Sequence, residues 1–248
     1  MPRSSSPSGM SYRVRCLGYA TAISHATSPF ITTFLLIHLA APVLANFGGS
    51  SLASQTMLLG REYYQTGFGE KYLVLGPLAV HSLTGITKRL LSAPKVQPRK
   101  LSSLLSLSGY AVGLLLLPIH FMTHRVDPTT DISPIFAVGP SELDYEFVKI
   151  GLHTWPWRSW LLYGSLVTSV TVHAIDGMAI IWNTWLRKPL SAGWKRSART
   201  TIMLLALGGI TFPVLTGIYS LGKEPLMTFA STAKRYQASF LQSLIYRI

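Results

Sequence analysis

Residues 34–42 read FLLIHLAAP, and residues 116–124 read LLPIHFMTH. Each runs leucines into Ile-His, so an imidazole stands inside an apolar run at His38 and again at His120. Loop-like stretches follow both, REYYQTGFGEKY at 61–72 and LDYEFVKIGLHTW at 143–155. A second apolar run then carries HSLTGI at 81–86 and HAIDGM at 173–178. The chain therefore reads as one helical hairpin written twice, over about 26–91 and 103–186, with His38 matching His120 and His81 matching His173. Both copies start on the same side of a membrane, which makes a parallel repeat with a pseudo-twofold axis along the membrane normal.

The bulk numbers agree with helices in lipid. Of 248 residues, 48% are apolar and 12% are charged, where a soluble domain carries about a quarter charged residues. Mean hydropathy is +0.34. A bilayer span needs about 20 mostly apolar residues, and five runs qualify: 26–46, 72–91, 103–123, 157–186 and 200–221. The runs are too long for strands and lack period-two alternation. The expected architecture is an all-α membrane protein of five transmembrane helices, two tandem hairpins plus one extra helix, within a domain at 23–222. Residues 1–22 read as a short flexible basic tail without a secretory signal. Residues 223–248 place Leu226, Phe229, Ala233, Tyr236, Phe240, Leu244 and Ile245 at roughly helical spacing, which predicts an amphipathic helix in the membrane interface. A helix packed back on the bundle fits the same spacing.

Charge sets the expected orientation. The net charge is +13, from 22 basic and 9 acidic residues. Given the apolar fraction, this favours an anionic lipid surface over nucleic acid as the partner. Segments 88–100 and 187–199 hold five Lys or Arg each and no acid. With Arg3, Arg13 and Arg15 in the tail they define a basic side, expected to face the cytosol. Glu62, Glu70, Asp127, Asp131, Glu142, Asp144 and Glu146 fall on the other side. Cys16 is the single cysteine, so an internal disulfide or a CxxC site is excluded.

Histidine inside a membrane helix is costly and marks a candidate site. Residues related by the repeat axis face one another across it, so His38 with His120, and His81 with His173, would approach one object from two sides. That is the arrangement of bis-histidine ligation, one imidazole on each face of a haem. Haem b is the expected cofactor, with these four residues as iron ligands; an imidazole bonded across to a neighbouring helix is the plainer reading of each taken singly. Gly85 and Gly177 lie one turn past His81 and His173, where a missing side chain admits a macrocycle or a neighbouring helix. Gly109 and Gly113 have the spacing of close helix packing. Asp176, the one acid within a span, and its repeat partner Thr84 read as a polar track, or as a neutral or histidine-paired carboxyl. Hydroxyls line the start of the first span and the length of the fourth. His25, His124 and His153 sit near expected helix ends and read as interfacial, and the six tryptophans as an aromatic belt.

The stretch GREYYQTGFGEKYLVLGPLAVHSLTGITKRLL, with FLLIHLAAP before it, resembles the fungal Mdm-ten-complementing protein family of the mitochondrial outer membrane. The resemblance covers roughly 23–222, and Arg61, Tyr64, Gln65, His81, Thr84, Gly85 and Arg89 carry its most specific part. It implies a multi-pass mitochondrial outer-membrane protein with a cytosolic N-terminus, acting in lipid homeostasis and linked to lipid scrambling at organelle contact sites. It also implies a partner, a bridge-like lipid-transfer protein of the vacuolar-sorting type. In the family a Pro-x-Pro motif recruits that partner, and the tail here has Pro2 and Pro7 without one. The layout is more distantly similar to the haem-b membrane anchor of fumarate reductase and succinate dehydrogenase. That similarity assigns two haems to His38, His81, His120 and His173. The expected function is non-enzymatic lipid transfer or transbilayer lipid movement, with a di-haem b-type cytochrome as the alternative. A serine–histidine–acid grouping, a phosphate loop and an HExxH motif are all missing from the sequence.

Overall fold

The structure is a computed structural model that describes residues 7–91, 100–101, 103–186 and 196–247, with side chains from 12 onward and, in the last segment, from 199. Among the described residues the regular secondary structure is entirely helical. Four helices are long and apolar enough to cross a membrane: Tyr12–Tyr64, Leu104–Thr129, Pro156–Trp185 and Arg199–Lys223. The chain divides into two compact units, Met1–Leu36 with Arg61–Leu101, and Ile37–Gly60 with Ser102–Ile248. Most of the two basic loops (Lys95, Arg99, Arg187, Lys188 and Lys195), together with Arg3, Pro2 and Trp194, lies outside the described residues.

Helix α1, Pro7–Tyr64, contains the expected first span but is far longer. It takes in residues 7–22, expected as a flexible tail, and most of 47–64, expected as loop. The helix is interrupted at Gly48 (φ −137°, ψ 20°) and Gly49 (φ 59°, ψ −154°). The positive φ at Gly49 is open to glycine because it has no Cβ. A Gly-Gly pair thus bends α1 where the sequence suggested that it ended.

In the smaller unit, α2 joins a π-helical stretch Gly69–Leu75 to Gly76–Leu90 and covers the expected second span. The Thr66 hydroxyl opens it by accepting from the Gly69 amide at 2.9 Å. It is not among the four helices above. His81, Ser82, Thr84, Thr87, Lys88 and Arg89 dilute its apolar character.

In the larger unit, α3 is helical over Leu104–Thr129, two turns past its expected end at 123. It alternates α segments with π segments at Ala111–Leu116 and Met122–Val126. A short helix α4, Tyr145–Thr154, was not foreseen; Asp144 caps it by accepting from the Glu146 amide at 2.8 Å. Helices α5, Pro156–Trp185, and α6, Arg199–Lys223, match the expected fourth and fifth spans. A proline stands two residues beyond four of the π stretches: Pro77, Pro118, Pro128 and Pro213. Proline has no N–H, and its ring presses on the carbonyl four residues back. A widened π turn relieves that pressure without breaking the helix.

Small residues let α6 lie close to α1. Ala41, Ala45 and Ala53 are buried on α1 with Val214, Ile218 and Leu221 of α6. A Cβ at Gly217 would fall 1.7 Å from the Pro42 carbonyl oxygen. Asn46 Nδ2 donates to the Pro213 carbonyl at 2.8 Å. In a membrane such close backbone approach substitutes for the missing hydrophobic drive.

The C-terminal segment forms two short helices, α7 (Ala230–Phe240) and α8 (Leu244–Arg247). Tyr236, Phe240 and Tyr246 are buried with Ile135, Phe147 and Ile150. Phe147 and Phe240 stack at 4.3 Å. The apolar face expected in the membrane interface is thus largely spent on the protein itself, because its aromatics find an aromatic surface on α4. Leu226, Phe229 and Leu244 remain exposed.

Candidate functional site

The first matched histidine pair meets. The His38 and His120 rings are 6.0 Å apart and nearly perpendicular. Because α3 continues past 123, His124 follows one turn on, 4.5 Å from His120. Its Nε2 lies 3.2 Å from the Tyr163 hydroxyl, and its ring is edge-on to Phe147 and Phe240. His124, itself half-buried, thus joins a cluster with His120, Tyr163, Phe147 and Phe240. Tyr163 was missed from sequence, since a tyrosine in a span reads as an interfacial anchor. The four-residue step from His120 was the available signal for His124.

The second matched pair is divided between the units, and each ring finds a backbone carbonyl. His81 Nδ1 lies 3.0 Å from the Ser24 carbonyl and 3.2 Å from the Thr27 hydroxyl. His173 Nδ1 lies 3.2 Å from the Leu105 carbonyl. In each hairpin, then, the second helix sends its histidine to a carbonyl near the start of the first. A ring donating from Nδ1 is the Nε2-basic tautomer. Gly109 makes the His173 contact: a Cβ there would lie 2.7 Å from the ring. The close-packing role expected of Gly109 is therefore with an imidazole. A Cβ at Gly85, Gly113 or Gly177 would meet nothing within 4 Å.

Asp176 is 2% exposed and pairs with Arg199, not with a histidine: Oδ1 accepts from Nε at 2.9 Å and Oδ2 stands 2.6 Å from Nη2. One turn and a little earlier, Thr211 of α6 donates to Thr171 of α5 at 2.9 Å, both buried. Thr84, in the other unit, donates back to its own helix at the Val80 and His81 carbonyls.

The ligand spacing of His38 and His120 suits a shared metal. Two imidazole nitrogens about 2 Å from one ion put their ring centres roughly 6 Å apart. The packing does not suit a macrocycle. The cleft beside His120, lined by Thr123, His124, Tyr163 and Tyr246 among others, is narrow, with room for at most about one water molecule. Among the described residues no three His, Cys, Asp or Glu side chains are placed to hold a metal ion.

Outside the spans, Lys149 is fully buried between Glu146 (2.5 Å) and Glu224 (3.3 Å). Glu224 also accepts from the Ser50 amide at 2.9 Å, where α1 resumes after its kink. Burial pushes the Glu224 carboxyl up, but the Ser50 hydrogen bonds and the Lys149 ammonium outweigh it and hold it below the usual range. Arg235 and the Gly139 amide hold Glu142 below it as well. Burial raises Asp144.

No known protein family, curated protein or solved structure matches this chain.

Proposed function

We propose that this is a non-enzymatic membrane protein of lipid homeostasis in the mitochondrial outer membrane, moving phospholipid between leaflets and receiving it from a bridge-like lipid-transfer protein of the vacuolar-sorting type. One observation carries the reading: a ladder of polar side chains on a single apolar helix. Ser159, Tyr163, Thr171 and Asp176 of α5 are all buried. At 1.5 Å per residue they extend about 25 Å along the helix, but Ser159 turns to the Gly151 carbonyl of α4 and Tyr163 to His124 of α3, so the part shared with α6 is the stretch of about 8 Å from Thr171 to Asp176. Thr171 and Asp176 bond to α6 through Thr211 and Arg199. A polar seam between two apolar helices can exchange its own hydrogen bonds for those of a passing headgroup. The basic loops at 88–100 and 187–199 supply anionic-lipid affinity at one membrane face. The resemblance of the 61–91 segment to an outer-membrane family supports the choice of this membrane and this partner.

In this reading α2 crosses the membrane as a fifth span, the N-terminus is cytosolic and the C-terminus lies opposite. Purified protein in liposomes containing a fluorescent phospholipid should expose inner-leaflet label to an external quencher. Label that stays protected, as in protein-free liposomes, refutes the reading.

A second reading, a b-type cytochrome, has the His38–His120 spacing for it and the tight packing beside His120 against it. Protein expressed with ample haem would then show a Soret band that His120→Ala abolishes. A colourless preparation removes this reading and leaves the first standing.

A further inference from the structure

The cleft beside the histidine cluster has a chemistry of its own. Thr123 is 1% exposed, lines the cleft, and its hydroxyl has no hydrogen-bond partner among the described residues. A threonine in a helix can donate back to a carbonyl a turn earlier; Thr123, in the π stretch Met122–Val126, does not. A buried hydroxyl without a partner keeps the full cost of its desolvation. The same cleft is lined by His120, His124, Tyr163 and Tyr246. Tyr163 already meets His124. Tyr246 meets Ser159 at 3.4 Å, and Ser159 donates to the Gly151 carbonyl at 2.8 Å. Two hydrogen-bonded groups thus line one space with room for at most about one water, and an unsatisfied hydroxyl lines it with them. Buried water is found where a site has that room and two to four polar partners.

We infer that this cleft is a specific binding site for one water molecule, held by Thr123 Oγ1, that joins the His120–His124–Tyr163 cluster of α3 and α5 to Tyr246 and Ser159. The bound water completes a polar path from the imidazoles within the span to the C-terminal helix α8. The ligand is water and not an ion, because among the described residues no three His, Cys, Asp or Glu side chains are placed to hold a metal ion and the cleft has room for at most about one water. The inference does not depend on lipid movement or on haem.

Water-edited solid-state NMR on 15N-histidine-labelled protein in lipid bilayers tests it. The His120 and His124 resonances are assigned by His120→Asn and His124→Asn. In the wild type at least one of these two rings should receive magnetisation from an ordered water. Thr123→Val, which keeps the shape and removes the hydroxyl, should abolish that transfer. Thr123→Ser, which keeps the hydroxyl, should retain it and serves as the folded control. Absence of water contact at both rings in the wild type overturns the inference, as does transfer that persists undiminished in Thr123→Val.

Discussion

Lys149 has no exposed surface and two carboxylates against it. Removing one member of such a group leaves uncompensated buried charge, a cost of roughly 3–5 kcal/mol. Lys149→Ala should lower the unfolding midpoint in detergent accordingly, while Lys149→Met combined with Glu224→Gln should recover most of the loss. A lysine single mutant as stable as wild type contradicts the network. Acid behaviour follows from the carboxylates of the same region. Glu142 is depressed by Arg235, so its stabilisation is present above the unfolded value, about 4.3, and is lost as pH falls through the folded value. Asp144 is raised by burial, so it favours the fold at low pH and loses that contribution as pH rises through its folded value. Asp144→Asn, which keeps a capping oxygen, should therefore lose less stability than wild type as pH rises from about 4 to about 6, as read from melting midpoints. At this scale His38 and His120 could be read from sequence, because an Ile-His phrase repeated in apolar runs is rare. The Lys149–Glu224 pair could not, because 75 positions separate its members.

The glycines separate helix contacts from open helix surface. A Cβ at Gly217 would strike the Pro42 carbonyl, while one at Gly177 meets nothing within 4 Å. Gly217→Ala should cost about 1–3 kcal/mol by overpacking. Gly177→Ala should be neutral or stabilising by up to about 1 kcal/mol, since mid-helix glycine is unfavourable relative to alanine. Thermal unfolding of the two variants side by side checks this, and equal midpoints would contradict the packing of α1 against α6. The spans at 157–186 and 200–221 were readable within two residues because charged or breaking residues bound them. The end of α1 was not. Gly48-Gly49 reads as a loop signal, yet the Glu224 carboxylate accepts from Ser50 just beyond the bend and supplies the capping acceptor a new helix N-terminus needs. For the C-terminal segment the spacing left two neighbours open, lipid or the bundle, because periodicity does not say which covers an apolar face; Tyr236 and Phe240 pack on the protein, while Leu226, Phe229 and Leu244 stay exposed.

For the whole molecule, the all-helical, membrane-compatible class follows from composition and the length of the apolar runs, and four helices among the described residues bear it out. The fifth span is a matter of α2, whose histidine, hydroxyls and basic end weaken it. Five crossings put the two termini on opposite faces and four put them on the same face. Maleimide labelling of single cysteines placed at each end, in a Cys16→Ser background, should react from opposite sides of sealed vesicles. The lipid-moving function rests on the α5–α6 seam, and its most direct test uses matched proteoliposomes of wild type and of the Thr171→Val, Thr211→Val double variant, which keeps side-chain shape and removes the mid-seam hydroxyls. External quenching of a fluorescent phospholipid should reach the inner leaflet's label quickly with wild type and at least several-fold more slowly with the variant. Inner-leaflet label that stays protected with wild type, or equal rates for the two proteins, would contradict the account.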